Sequence, residues 1–264
     1  MRLQMTKKVA VLALGAAIIL GAPAGADEWD DAGDPDSGIS TDNVIANGAE
    51  QVHDLGALPG GAADEDWYLA SIRPFSSYQF VVDGLTGDLD LVSGSVQRLD
   101  SAGTGVLQSA SILEEGGVLS LSWLKGTPAP SDTNFLRVRG ANCGTGCTTS
   151  DRYRARLYDT TYTVPRFNNS GTQATVLLVQ SATDRFCFAR FFFLDSPGNM
   201  VAETSASILP YALTVLPTGT VAPNQSGSIR IAHTCGYGGL SGKAVSVEPA
   251  TGFTFDTAMV HRPR

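Results

Sequence analysis

The chain has 264 residues, with 18 Lys plus Arg, 26 Asp plus Glu, 3 His and 4 Cys, and a formal net charge of −8. Charged residues make up 17%, against about 25% in an average soluble domain, and the 29 Gly and 13 Pro are in excess. This balance excludes a long helical bundle, which would be rich in Ala, Glu, Lys and Leu, and a nucleic-acid partner, because phosphate binding needs a basic surface.

Residues 1–26 read as a signal peptide that is cleaved on export. Arg2, Lys7 and Lys8 form a positive n-region, residues 9–20 are an uncharged and mostly apolar run, and Ala24-Gly25-Ala26 supplies the small-x-small cleavage pattern. As a helix the apolar run would span about 18 Å, short of the ~30 Å bilayer core. No membrane span is expected, and the product should be secreted to the extracellular space or the periplasm. Residues 27–41 follow as an acidic tail containing Asp27, Glu28, Asp30, Asp31, Asp34 and Asp36. Its few apolar side chains cannot offset the entropy of ordering, so disorder is expected.

The remaining chain divides by charge. Residues 27–160 hold 21 acidic and 8 basic side chains, whereas residues 161–264 hold 5 and 7. Such asymmetry predicts two domains, 42–160 and 161–264. Period-2 alternation predicts strands at 78–82, 118–123, 135–139 and 152–158, the last placing Arg152, Arg154 and Arg156 on one face and Tyr153, Ala155 and Leu157 on the other. In the second half, strands are expected at 174–180, 185–194, 212–216, 228–234, 243–247 and 253–256, with the Phe-rich 185–194 as a central strand. Helical periodicity is absent. The fold class is therefore all-β, two antiparallel β-sandwiches in tandem, jelly-roll-like or immunoglobulin-like.

The first half carries an ordered set of motifs. Val52-His53-Asp54-Leu55-Gly56 leads to Asp64-Glu65-Asp66-Trp67-Tyr68 and Tyr78-Gln79-Phe80-Val81-Val82. Gly87-Asp88-Leu89-Asp90-Leu91 and Arg98-Leu99-Asp100-Ser101-Ala102-Gly103 follow, and Phe135-Leu136-Arg137-Val138-Arg139-Gly140 precedes the strand at 153–157. This order resembles the bacterial pre-peptidase C-terminal (PPC) domain over residues 42–160. The resemblance implies a bacterial source, a jelly-roll-like sandwich and a non-catalytic module, some members of which bind calcium or matrix polymers. Residues 161–264 resemble no characterised family.

Several constellations bear on chemistry. Asp64, Glu65 and Asp66 sit together in one predicted turn and Asp88 and Asp90 in another, and alternating hard oxygens suit calcium, the candidate cofactor. Asp also favours turns for its own backbone bonds. An even Cys count in an exported chain favours disulfides Cys143 to Cys147 and Cys187 to Cys235, each within one domain; zinc is the rival, but its motifs come as paired short spacings. His53, His233 and His261 read as sheet-surface residues rather than general bases, and no nucleophile elbow occurs. Trp67 and Trp123 read as core. Tyr237, in the Gly-rich loop before residue 243, is the candidate ligand contact. The function expected is a secreted, non-catalytic binding or adhesion protein for extracellular polysaccharide, matrix protein or the cell envelope. The alternatives are a hydrolase with an inter-domain site and a structural subunit that assembles through strand edges.

Overall fold

The structure is a computed structural model, and it describes residues 36–56, 64–84, 95–110, 118–126, 132–139, 148 and 150–262. The expected signal peptide, most of the acidic tail, Asp88, Asp90 and the pair Cys143 and Cys147 lie outside the described residues. Eight strands come first: β1 (Glu50–Asp54), β2 (Glu65–Ile72), β3 (Ser76–Gly84), β4 (Val96–Leu99), β5 (Val106–Ser109), β6 (Leu119–Lys125), β7 (Asp132–Arg139) and β8 (Arg152–Asp159). Their order is β1-β8-β3-β6 in one sheet and β2-β7-β4-β5 in the other. Apart from the β4–β5 hairpin, each connection crosses from one sheet to the other, which is the wrapping of a jelly roll.

Nine more strands form the second sandwich: β9 (Tyr162–Asn168), β10 (Ala174–Ser181), β11 (Cys187–Leu194), β12 (Met200–Ile208), β13 (Leu213–Pro217), β14 (Ser226–His233), β15 (Leu240–Glu248), β16 (Phe253–Ala258) and β17 (Val260–His261). They pair as β13-β10-β15-β16 and β12-β11-β14-β9-β17. Every named strand pair is antiparallel. The fold is all-β, with a single short 3-10 turn at Thr218–Thr220 among the described residues.

Alternation explains both cores. In β8, Tyr153, Ala155 and Leu157 point inward and meet Phe80 and Val82 of β3, Tyr68 and Ala70 of β2, and Leu136 and Val138 of β7. In the second sandwich Phe191 and Phe193 of β11 pack with Phe167, Leu177, Val179, Ile229 and Ile231. Phe192 points the other way and is nevertheless fully buried. The first sandwich covers it: the Phe75 ring lies 5.0 Å away, and Leu194, Ala232 and Leu124 complete this small cluster. Three consecutive buried phenylalanines thus mark a strand covered on both faces.

The same seam is held by polar contacts. Asp159 ends β8 with its carboxylate buried, 2.8 Å from Arg73 and 3.4 Å from Arg262 at the far end of the chain. Arg262 also donates to Ser76 Oγ and the Pro74 carbonyl. Phe75, between these anchors, has φ of 52°, a left-handed conformation that a bulky residue adopts only when its surroundings hold it. The two-residue link Thr160–Thr161 is buried and bonded to Ser77.

Residues 36–41, expected to be disordered from their composition, are packed on the first sandwich. Trp67 N donates to the Asp36 carbonyl, Thr41 Oγ1 donates to the Trp67 carbonyl, and Asp36 is buried. The segment runs along the free edge of β2, hydrogen-bonded to its backbone, and so finds partners that its composition does not announce. Strand β12 also had no sequence signal. Its small and polar side chains are largely exposed, and it forms by pairing along β11.

Candidate functional site

Two places gather chemistry-bearing side chains. The first is a buried polar centre in the first sandwich. Glu65 and Asp66, expected in a turn, lie instead in β2, where the pleat sends Glu65 outward and Asp66 inward with Tyr68. Glu65 pairs with Arg137 at 3.2 Å on the outer face. Asp66 meets Asp36 and His53 instead, and the donor atoms of these three residues all lie within 4.8 Å of one another. Glu65 is thus separated from Asp66 by the alternation of the strand, and among the described residues the expected calcium cluster does not assemble. Asp64 is buried at the start of the strand.

The hydrogen bonds around His53 fix its chemistry. Gln51 Nε2 donates to the Val44 carbonyl, which turns Gln51 Oε1 toward His53 Nε2 at 3.2 Å. An amide oxygen only accepts, so Nε2 carries the proton. Nδ1 then faces Asp36 Oδ2 at 3.6 Å and Asp66 Oδ1 at 3.7 Å. Nδ1 thus points at two carboxylate oxygens, an arrangement that a proton or a bound cation between them would help to neutralise. Next to it, Tyr153 Oη donates to Asp66 Oδ2 and accepts from Tyr68 Oη at 2.6 Å. Burial, with Asp66 and Tyr68 adjacent, pushes the Tyr153 hydroxyl well above its ordinary value and keeps it a donor. Among the described residues, two carboxylates and an imidazole could hold a metal ion, with one nitrogen and carboxylate oxygens as ligands.

The second place is a groove of about 290 Å3 along the seam. The first sandwich contributes Gln79, Gln108, Ser120 and Ser122, and the second contributes Arg185, Phe186, Thr234 and the Cys187–Cys235 disulfide. Gln79 stands opposite Ser122 on one side and Tyr158 on the other. Its Oε1 accepts from Tyr237 N at 2.8 Å. Gly236, at φ of 79°, makes this approach with no Cβ against the amide. The disulfide ties the start of β11 to the loop after β14, so both second-sandwich walls share one covalent anchor.

Tyr237 lies beside this groove, with its ring 4.6 Å from Tyr158 and 5.1 Å from His261 in stacked geometry. Tyr237 is itself 49% exposed, as its loop position predicts, but it lies outside the described groove lining, where the exposed ring is Phe186 at 61%. Phe186 lies in the apolar run 185–194, where the sequence gives no sign that it precedes the strand. Two histidines expected on sheet surfaces are buried: His53 in the polar centre and His233 at the seam. Trp67 and Trp123 are buried as expected, each under an arginine, Arg137 and Arg98.

No protein-family model matches the chain, and no curated protein matches it significantly. Similar solved structures include the full extracellular region of zebrafish Gpr126/Adgrg6, at 8% identity and a TM-score of 0.26, over 81% of this chain and 30% of that one. A glycosyl hydrolase family 2 member from Bacteroides cellulosilyticus DSM 14838 aligns at 12% identity and a TM-score of 0.23, over 74% of this chain and 29% of its own. The chain thus spans under a third of either structure. Among the described residues no helix is long and apolar enough to cross a membrane.

Proposed function

We propose that this chain is an exported, non-catalytic binding and adhesion protein whose target is an extracellular polysaccharide, a matrix protein or the cell envelope. The observation that supports this reading is the seam groove, which is walled by both sandwiches and open to solvent. Among its described lining residues there is no carboxylate and no imidazole, whereas glycoside hydrolysis uses two carboxylates about 5–9.5 Å apart. Export is supported by the Cys187–Cys235 disulfide, a bond that persists in oxidising compartments. The PPC resemblance of residues 42–160 adds a non-catalytic precedent.

A divalent cation held by Asp36, His53 and Asp66 is part of the proposal. The resemblance implies calcium, and the imidazole favours zinc or manganese. Its role would be to neutralise the buried centre and pin residues 36–41 to β2.

The test is retention of the purified mature protein on immobilised polysaccharides, matrix proteins and bacterial envelopes, with added calcium or zinc and with chelator. Retention on at least one surface is expected. Retention on none, under any condition, overturns the reading, and glycoside or peptide turnover overturns its non-catalytic part. A second reading, self-assembly, is favoured by edge strand β13, whose Leu213 and Val215 are exposed. Concentration-dependent sedimentation that is lost in Leu213→Lys would support it.

A further inference from the structure

We infer that the seam groove is a subsite for a neutral saccharide, with Phe186 as its stacking platform and Gln79 and Gln108 as its hydrogen-bonding pair. The inference rests on the binding-protein reading above and adds the ligand class and the residues that select it. The argument begins with which amide atoms remain available. Gln79 Oε1 is occupied by Tyr237 N, and Gln108 Nε2 donates to the Ser122 carbonyl at 3.2 Å. Each bond fixes one amide plane. Among the described residues, Gln79 Nε2 and Gln108 Oε1 are then left as one oriented donor and one oriented acceptor. The Ser120 and Ser122 hydroxyls beside them serve in either role.

A ligand matched to this lining is uncharged, dense in groups that both donate and accept, and equipped with one apolar face. A pyranose ring meets all three requirements: its hydroxyls address the amides and serines, and its C–H face stacks on an exposed aromatic ring. Phe186 has no polar handle of its own, so a purely polar ligand would leave it in water. Charged ligands fit less well. Among the described lining residues the one cationic side chain, Arg185, lies 3.9 Å from Asp184, and none carries a carboxylate. At about 290 Å3 the groove falls at the small end of ligand sites, which suits one or two sugar units of a longer chain lying across the seam.

The test uses the full mature protein and calorimetric titration with short cello-, xylo- and chito-oligosaccharides, with oligogalacturonate as the acidic comparison. Binding of at least one neutral series is expected. Phe186→Ala and Gln79→Ala should each weaken it about tenfold, equivalent to ~1.4 kcal/mol. Ser122→Leu, which fills the groove and leaves the Gln79 contact to Tyr237 in place, should abolish it. Phe253→Ala, an exposed position at the end of β15–β16 away from Leu240, should leave it unchanged, and unchanged thermal melts certify each variant. Saccharide binding that survives Ser122→Leu overturns the groove assignment while leaving a binding protein. Binding of oligogalacturonate alone, lost in Arg185→Ala, overturns the neutral ligand. Retention on matrix protein or envelope without any saccharide binding overturns this inference and not the reading beneath it. Retention on nothing overturns both.

Discussion

The two sandwiches are joined by a two-residue link and share an architecture, yet they are stabilised by different chemistry. The first places a polar centre inside its core, where Asp66, His53, Tyr68 and Tyr153 sit among Phe80, Leu136 and other apolar side chains. The second packs phenylalanine, isoleucine and valine, and adds a disulfide between β11 and the loop after β14. A buried polar network stabilises only when its members are satisfied, because the low dielectric penalises any that are not. Stability of the first sandwich should therefore respond to cations. That of the second should respond to redox conditions, and the seam between them to acid.

The largest separation should come from removing the disulfide. Cys187 and Cys235 are 48 positions apart, and chain-entropy arithmetic for that loop gives about 4 kcal/mol. The double change Cys187→Ala, Cys235→Ala should lower the second sandwich's unfolding transition in calorimetry and leave the first in place. A uniform shift of both transitions would mean that the seam makes them one cooperative unit.

Acid should act next, at the seam. His233 accepts from Cys235 N at Nδ1 and donates from Nε2 to the Thr160 carbonyl. This pattern requires the neutral ring. Burial is the main cause that lowers its pKa to about 4 from 6.5; nearby His261 adds to the lowering, while the Thr160 bond and Asp159 oppose it. Tyr162 stacks on the ring, and Arg73, Arg230 and Arg262 surround Asp159. A histidine with a depressed folded value contributes its full stability above pH 6.5 and loses it as pH falls toward 4, for a total of about 3 kcal/mol. Urea titrations between pH 7 and 4 should show this loss, and His233→Gln should flatten it. An unchanged slope in that variant would assign the acid response to carboxylates.

The cation effect should be of similar size and opposite location. An ion bound only by the folded first sandwich adds about 2.7 kcal/mol at one hundred times its dissociation constant. Zinc, manganese or calcium should raise the first transition alone, and His53→Gln should remove the zinc response. A melt indifferent to every ion and to chelator would overturn the metal assignment of this centre.

This contrast was only half legible in the sequence. The second sandwich's chemistry is local: Cys187 and Cys235 lie in one half of the chain, and the run from Phe191 to Phe193 announces a strand by itself. In the first sandwich, β8 shows its alternation openly, but the polar centre is assembled from residues 36, 53 and 66, each in a misleading context. Asp36 lies in an acidic stretch with the composition of a tail. Asp66 follows Asp64 and Glu65 in what looks like a turn, although Tyr68, Ala70 and Ile72 continue its alternation and signal a strand. His53 resembles a surface residue because its partners come from other segments. Phe186 was hidden for the converse reason, since apolar neighbours made a solvent-exposed ring look like core.

A smaller and more local comparison separates the two cores by one oxygen atom. Tyr153 Oη stands between a carboxylate and a second hydroxyl, whereas Tyr162 Oη donates to a single carbonyl, that of Leu240, at 2.6 Å. Tyr153→Phe removes the donor to Asp66 and the acceptor for Tyr68 and should cost about 2 kcal/mol, because a buried charged partner loses its bond. Tyr162→Phe removes one neutral bond and should cost about 1 kcal/mol. Phenylalanine preserves the ring packing at both sites, so the difference isolates the polar chemistry. Bound cation should narrow it, because the ion takes over the neutralisation of Asp66. Equal costs in the absence of metal would mean that the Asp66 carboxylate is already protonated in the core, and the first sandwich would then be no more polar in its demands than the second.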